Sequence, residues 1–283
     1  MPYTVNIRGR LLDLSRPAVM GILNVTPDSF YAASRVQTEE AVALRARQIV
    51  AEGGSIIDVG ACSTRPGGTP AGEAEEMARL RLALPVVRRE APGVAVSVDT
   101  FRPGVARMAV EELGADIVND VGDPAGCPCS AAYPGMSVPY ILTSAKPTLR
   151  ETLLFFAEEV QRLCDRGQKD IILDPGFGFG KTVDENYVLL AELERLQVLD
   201  LPVLVGLSRK SMIYKPLGIT PGEALSGTTA LHAVALMKGA NILRVHDVKD
   251  AVQTVRLYGL LRKSSAPPQL LTPNSQLLNP NSC

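Results

Sequence analysis

Short apolar runs alternate with helical patterns along most of the chain. Runs at 18–24, 55–60, 94–99 and 116–119 come first, followed by 138–143, 170–174, 202–207 and 241–246. Each is rich in Ile, Val and Leu on both faces, the pattern of a parallel strand covered on both sides. Helical spacing fills the intervals at 38–52, 73–90, 103–114, 148–166, 186–196, 228–239 and 250–263. In the first of these, Ala41, Leu44, Ala46, Ile49 and Val50 offer an inward stripe. Several helices run into a glycine, at 53, 114, 167 and 239, where a left-handed cap is easy. Eight strand-then-helix units predict a (β/α)8 barrel, with an open doubly wound sheet as the alternative that shares the local pattern. The weakest unit is the connection from Asp120 to Val138, whose Pro124, Cys127-Pro128-Cys129 and Pro134-Gly135 make a poor helix. Residues 3–12 read as a short β-hairpin, turning at Arg8-Gly9 or Gly9-Arg10, that closes the barrel's bottom.

Composition narrows the class without changing the architecture. Among 283 residues, 29 Lys+Arg balance 30 Asp+Glu, which argues against a generally basic nucleic-acid binder. No apolar run approaches the ~20 residues that span a bilayer, and the opening residues lack the order of a secretory signal. Five scattered cysteines read as reduced thiols, so a soluble cytoplasmic protein is expected. One barrel domain over 1–263 is expected to be followed by a flexible tail, 264–283, rich in Pro, Asn, Ser and Gln.

The strand ends carry the chemistry. Asn24, Asp58, Asp99, Asn119-Asp120, Thr143-Ser144, Asp174, Ser208-Arg209-Lys210 and Arg244-Val245-His246 close the eight runs. In a barrel these ends converge on one face. A single Asp there is usually a turn former or cap, but polar groups at nearly every end make a cup. Asp58, Asp99, Asn119 and Asp174 suit the edge of a flat, nitrogen-rich ring, because buried carboxylates need donors. Lys210 is free to pair with Asp174 or to donate to a ring carbonyl. Arg65, Arg244 and His246, with the Asn24 amide, read as an anion site on the opposite side of the cup. Gly176 to Thr182 ends in Gly-Lys-Thr, yet its spacing is one residue short of a nucleotide-binding P-loop. Cys127 and Cys129 lack a second ligand pair for zinc, and His232 reads as a satisfied helix residue.

Taken in order, the blocks 20-MGILNVTPDSF-30, 56-IIDVG-60 with 63-STRPG-67, 97-SVDT-100, 119-ND-120, 172-ILDPGFGFGKT-182, 206-GLSRKS-211 and 244-RVHDV-248 resemble the dihydropteroate synthase family. That family is a pterin-binding TIM barrel, usually a homodimer. The resemblance implies condensation of 6-hydroxymethyl-7,8-dihydropterin diphosphate with 4-aminobenzoate to give 7,8-dihydropteroate and pyrophosphate, SN1-like and with Mg2+. It implies that Asp99, Asn119, Asp174 and Lys210 hold the pterin, with Asp58 nearby. Asn24 would bind the Mg2+–diphosphate, with Arg65, Arg244 and His246 at the anion. Thr64, Phe179 and Ser208 would lie by the 4-aminobenzoate. Departures fall in the loops: 31-YAASR-35 after Phe30, Ala61-Cys62 where Gly-Glu is common, and Thr143-Ser144-Ala145 in place of Met-His-Met. These bear on turnover and sulfonamide response more than on pterin binding. A non-catalytic pterin-binding paralogue and a methyltetrahydrofolate-type methyltransferase are the competing readings.

Overall fold

A computed structural model describes residues 3–25, 35–62, 71–122 and 137–264. Two short strands open it, β1 (Thr4–Ile7) and β2 (Arg10–Asp13). They pair antiparallel with Ile7 opposite Arg10, so the turn is Arg8-Gly9. Both turn residues have positive φ, 50° and 84°, the twist a two-residue hairpin favours.

Eight parallel strands follow: β3 (Ala18–Asn24), β4 (Ile56–Gly60), β5 (Ala95–Asp99), β6 (Ile117–Asp120), β7 (Tyr140–Thr143), β8 (Ile171–Asp174), β9 (Leu204–Val205) and β10 (Ile242–Val245). β3 to β8 pair in chain order, β10 lies between β3 and β9, and a bridge from Leu173 to Val203 closes the ring. This is a TIM barrel. α1 (Arg35–Ala51), α2 (Glu73–Glu90), α3 (Pro103–Glu111), α4 (Leu149–Asp165), α5 (Val183–Ala191), α6 (Ser211–Leu217), α7 (Leu225–Met237) and α8 (Val248–Ser264) surround it. Most of the connection from β6 to β7, with Cys127 and Cys129, lies outside the described residues, as does the chain beyond Ser264.

Two helical expectations change. In α1 the buried stripe is Val42, Ala43, Ala46 and Ile49, whereas Leu44 and Val50 are 63% and 37% exposed. The stripe follows the i, i+4, i+7 spacing set by Val42, and Leu44 falls between its rows. The unit after β9 carries α6 besides α7; its short length and Pro216 hide it in the sequence. The four glycine caps have φ between 73° and 96°, as left-handed caps require.

The barrel interior divides into two halves. Alternate residues point inward, and the lower layers are apolar: Ala18 and Met20, Ile56, Ala95, Ile117, Ile141, Ile172, Leu204 and Ile242 form one cluster with Val5, Ile7 and Leu14 of the hairpin segment. The hairpin therefore plugs the bottom. Arg8 holds it there, donating to the carbonyls of Val110 and Ala115 and lying 3.6 Å from Asp116. One step further up most of the strands the inward positions become polar, as Asp58, Ser97, Asn119, Thr143, Asp174 and Arg244, and these line the open mouth. No described helix is long and apolar enough to cross a membrane.

Candidate active site at the barrel mouth

Register fixes which polar side chains meet. Asn24, Gly60, Asp99 and Asn119 share one level, Asp58 and Ser97 lie one step below, and Thr143 is paired with Asp174 above. Arg244, paired with Met20 on β3, enters between them. Its Nε donates to Asp58 Oδ2 at 2.6 Å and its Nη2 to Asp99 Oδ2. Asn119 Nδ2 donates to the same Asp58 oxygen at 3.0 Å, which leaves Asn119 Oδ1 facing away from Asp58.

This arrangement corrects one expectation. The cup is not divided into an acidic and a cationic side, because Arg244 sits among the acids. A guanidinium hydrogen-bonded to two buried carboxylates offsets part of the desolvation of all three. Burial works against the charge of Arg244, but Asp58 and Asp99 outweigh it and hold its pKa well above the ordinary value. Burial pushes Asp99 up to about 7, with Asp58 adding to the effect and Arg244 opposing it.

The far wall is built by the loops after β8 and β9. Gly176 takes φ 68°, and a Cβ there would lie 2.0 Å from the Ser144 carbonyl oxygen, so only glycine fits. Its N–H donates to Asp174 Oδ1 at 2.8 Å, aiming the carboxylate into the mouth. Burial raises the Asp174 pKa against the pull of Lys210 and of that N–H. Lys210 has no ion pair or hydrogen bond with Asp174 among the described residues; its Nζ donates to the Phe177 carbonyl and lies 4.8 Å above the Phe179 ring. Burial lowers its pKa to about 8, opposed chiefly by Asp174. Of the two loop aromatics, Phe177 is buried in the outer core and Phe179 is half-buried against the Lys210 ammonium.

The Gly-Lys-Thr sequence has a structural explanation. Lys181 Nζ donates to the carbonyls of Ser144, Gly176 and Phe179 at 3.0–3.3 Å, strapping two loops together. Thr182 caps α5 in a reciprocal box with Glu185. Asn186, which sequence reasoning missed, accepts from Gly178 N–H at 2.7 Å. At the rim, His246 Nδ1 and Ser208 Oγ are 3.1 Å apart. Arg209 turns away from the mouth to grip Asp247 with two bonds of 2.8 and 2.9 Å. His232 is buried, but its Nε2 finds no partner among the described residues, so it is not the satisfied histidine expected. Burial lowers its pKa to about 4. Thr64 and Arg65 lie outside the described residues, as does the loop after Val25.

Buried acceptors without a protein partner mark where a ligand's donors would go. Among the described residues these include Asp58 Oδ1, Asn119 Oδ1, Ser97 Oγ and Thr143 Oγ1, all on inward-facing positions of the upper barrel. Comparison with known proteins points the same way. The pterin binding enzyme family matches residues 20–128 and 136–246. The dihydropteroate synthase of Escherichia coli (strain K12) is 40% identical over 268 residues, 88% of this chain and 93% of that protein. The chain belongs to the dihydropteroate synthase family. The Bacillus subtilis (strain 168) dihydropteroate synthase is 38% identical over 253 residues, 84% of this chain and 86% of that one. The solved structure of the Xanthomonas albilineans dihydropteroate synthase with 4-aminobenzoic acid superposes with a TM-score of 0.83. It is 36% identical and covers 94% of this chain and 100% of its own. Membership makes this chain a transferase of the pterin-binding enzymes of folate biosynthesis. Within the dihydropteroate synthase family, the mouth described above is the concave face where barrel enzymes place their chemistry.

Proposed function

We propose that this chain joins 6-hydroxymethyl-7,8-dihydropterin diphosphate to 4-aminobenzoate, releasing pyrophosphate and 7,8-dihydropteroate. The observation that carries this reading is the ring of buried acceptors, Asp58, Asn119 and Asp174, beside two cations, Lys210 and Arg244. A pterin presents an amino group and ring N–H groups to such acceptors and a carbonyl to Lys210. In this reading Asp99 and Arg244 work as a unit. Nε and Nη2 of Arg244 are engaged by the acids, which leaves Nη1 for the diphosphate. Asn24, Arg65 and His246 complete the anion's surroundings, and Ser208 fixes the His246 ring. Thr64, Phe179 and Ser208 border the aminobenzoate.

The step is substitution at the exocyclic CH2. The C–O bond to diphosphate breaks first, the electron-rich ring shares the positive charge, and the aniline nitrogen then forms the new C–N bond and loses its proton. No protein nucleophile is needed. The protein's contribution is to hold the ring flat, and to meet the charge building on the departing oxygen with fixed cations.

The donor chemistry at the mouth suits Mg2+. A Cβ at Gly60 would lie 3.2 Å from Asn24 Oδ1 and 3.6 Å from Asp99 Oδ2, so glycine is what lets these two oxygens flank the same spot. The described residues hold no cluster of three or more His, Cys, Asp or Glu to cage a metal. One amide oxygen fits an ion that keeps most of its shell as water and phosphate oxygen. Bound at Asn24 with the diphosphate, Mg2+ would neutralise leaving-group charge.

The same reading pairs two copies of the chain, through exposed Met237 on α7 and Leu257, Leu260 and Leu261 on α8. Sedimentation would show a dimer. The activity is tested by pyrophosphate release from the pterin diphosphate with Mg2+, with and without 4-aminobenzoate. Release that requires or is strongly stimulated by 4-aminobenzoate supports the reading. No release under saturating substrates would contradict it and leave binding alone.

A further inference from the structure

Thr143 closes β7 with its side chain inside the barrel. The inward direction follows from Ile141, two residues earlier, which belongs to the interior cluster, and from pairing with Asp174 across the sheet. The residue is 6% exposed, and its hydroxyl oxygen is fully covered without a hydrogen-bond partner among the described residues. Its methyl is accounted for: Cγ2 is the branch that lies toward Gly176, 3.3 Å from where a Cβ would stand on that residue. The hydroxyl therefore occupies the other branch, on a residue whose register partner across the sheet is Asp174, the carboxylate that Gly176 N–H orients. Ser144, which follows, is engaged elsewhere, with Thr152 Oγ1 and the Lys146 N–H.

A buried hydroxyl that gains nothing from the protein is a cost to the fold. Valine would fill the same volume in a strand without that cost. The neighbours on the ring argue for a ligand: Asn119 Oδ1 and Asp58 Oδ1 are covered and unpartnered as well. Resting on the pterin reading given above, we propose that the Thr143 hydroxyl is a direct specificity contact, bonding the amino-bearing edge of the heterocycle beside Asp174. A hydroxyl accepts from an amino N–H while donating its own proton to a ring nitrogen. Thr143 thus adds a further protein group reading that edge and favours a ring with an amino substituent over one with a carbonyl there.

Calorimetric titration of the full chain with 6-hydroxymethylpterin, and with its counterpart carrying a carbonyl in place of the amino group, tests this. Thr143→Val is expected to bind the amino compound about tenfold more weakly and the carbonyl compound with little change. Thr143→Ser recovers most of the loss because it keeps the hydroxyl. Thr143→Ala provides the same comparison should the valine variant fold poorly. A merely structural hydroxyl would shift both ligands alike, and that result overturns the proposal. Equal amino-compound affinity in wild type and Thr143→Val, with Asp174→Asn weakened, overturns the Thr143 assignment alone. Absence of pterin binding by the wild type overturns the reading beneath it.

Discussion

The two halves of the barrel interior are built on the same strands by the same alternation, yet they solve opposite problems. Below, Met20, Ile56, Ile117, Ile141, Ile172 and Ile242 pack against one another and against the hairpin. Nothing there needs a partner beyond other apolar groups. Above, Asp58, Asp99, Asn119, Asp174, Lys210 and Arg244 are crowded into a mouth where every charge depends on another. Stability and function are therefore separated along the barrel axis. The lower half provides close packing that tolerates no gaps, while the upper half accepts desolvated charge and orphaned acceptors because a ligand meets them.

Removing Arg244 strains this division most. Arg244→Ala strands Asp58 and Asp99 without their shared cation, and breaking a buried pair in this way costs about 3–5 kcal/mol. Thermal unfolding should show that loss, and it should be partly recovered at low pH as the carboxylates protonate. Affinity for free pterin and for pterin diphosphate should both fall, with the diphosphate losing more. An unchanged melting temperature would show that the guanidinium does not hold the acids together.

The converse test is Ile56→Ala, at the bottom of the same strand that carries Asp58. A cavity of this kind costs about 2–5 kcal/mol. Measured below its melting temperature, kcat/KM should stay within about twofold of wild type, because the Ile56 side chain belongs to the apolar layer beneath the mouth. A large fall in kcat/KM with intact folding would mean that the two halves are coupled.

Acid sharpens the comparison from outside the barrel. His232 on α7 has an ordinary pKa near 6.5 when unfolded and about 4 when folded. The unfolded chain binds the extra proton first, so stability is fully present above pH ~6.5 and declines as pH falls toward 4. The total is about 3 kcal/mol for a shift of this size. Denaturant titrations across pH 7 to 4 should show the slope, and His232→Leu should flatten it. An identical slope in the variant would place the acid sensitivity at the mouth instead.

How much of this was legible in the sequence follows the range of the interactions. The strands were readable from their apolar cores, and their polar ends from position alone, because both are local patterns. The Arg8-Gly9 turn and the glycine caps were equally local. The partners of Arg244 were not, since β10 brings its side chain to those of β4 and β5, beyond the intervening β3, only once the barrel closes. Lys181 was visible as part of Gly-Lys-Thr, but its acceptors are carbonyls from two loops, which carry no residue signature. Leu44 and Val50 misled because an apolar residue on a helix need not lie on its buried face. Thr143 stood among the polar strand ends, while its lack of a partner is a fact of packing.

The central claim is that the upper half, and not the lower, is where a pterin is held. Calorimetric titration of 6-hydroxymethylpterin into wild type, Asp174→Asn and Ile56→Ala tests it side by side. The account predicts wild-type affinity for Ile56→Ala and a loss of about a hundredfold for Asp174→Asn, because a buried donor loses its carboxylate. Equal binding by Asp174→Asn and wild type would contradict it.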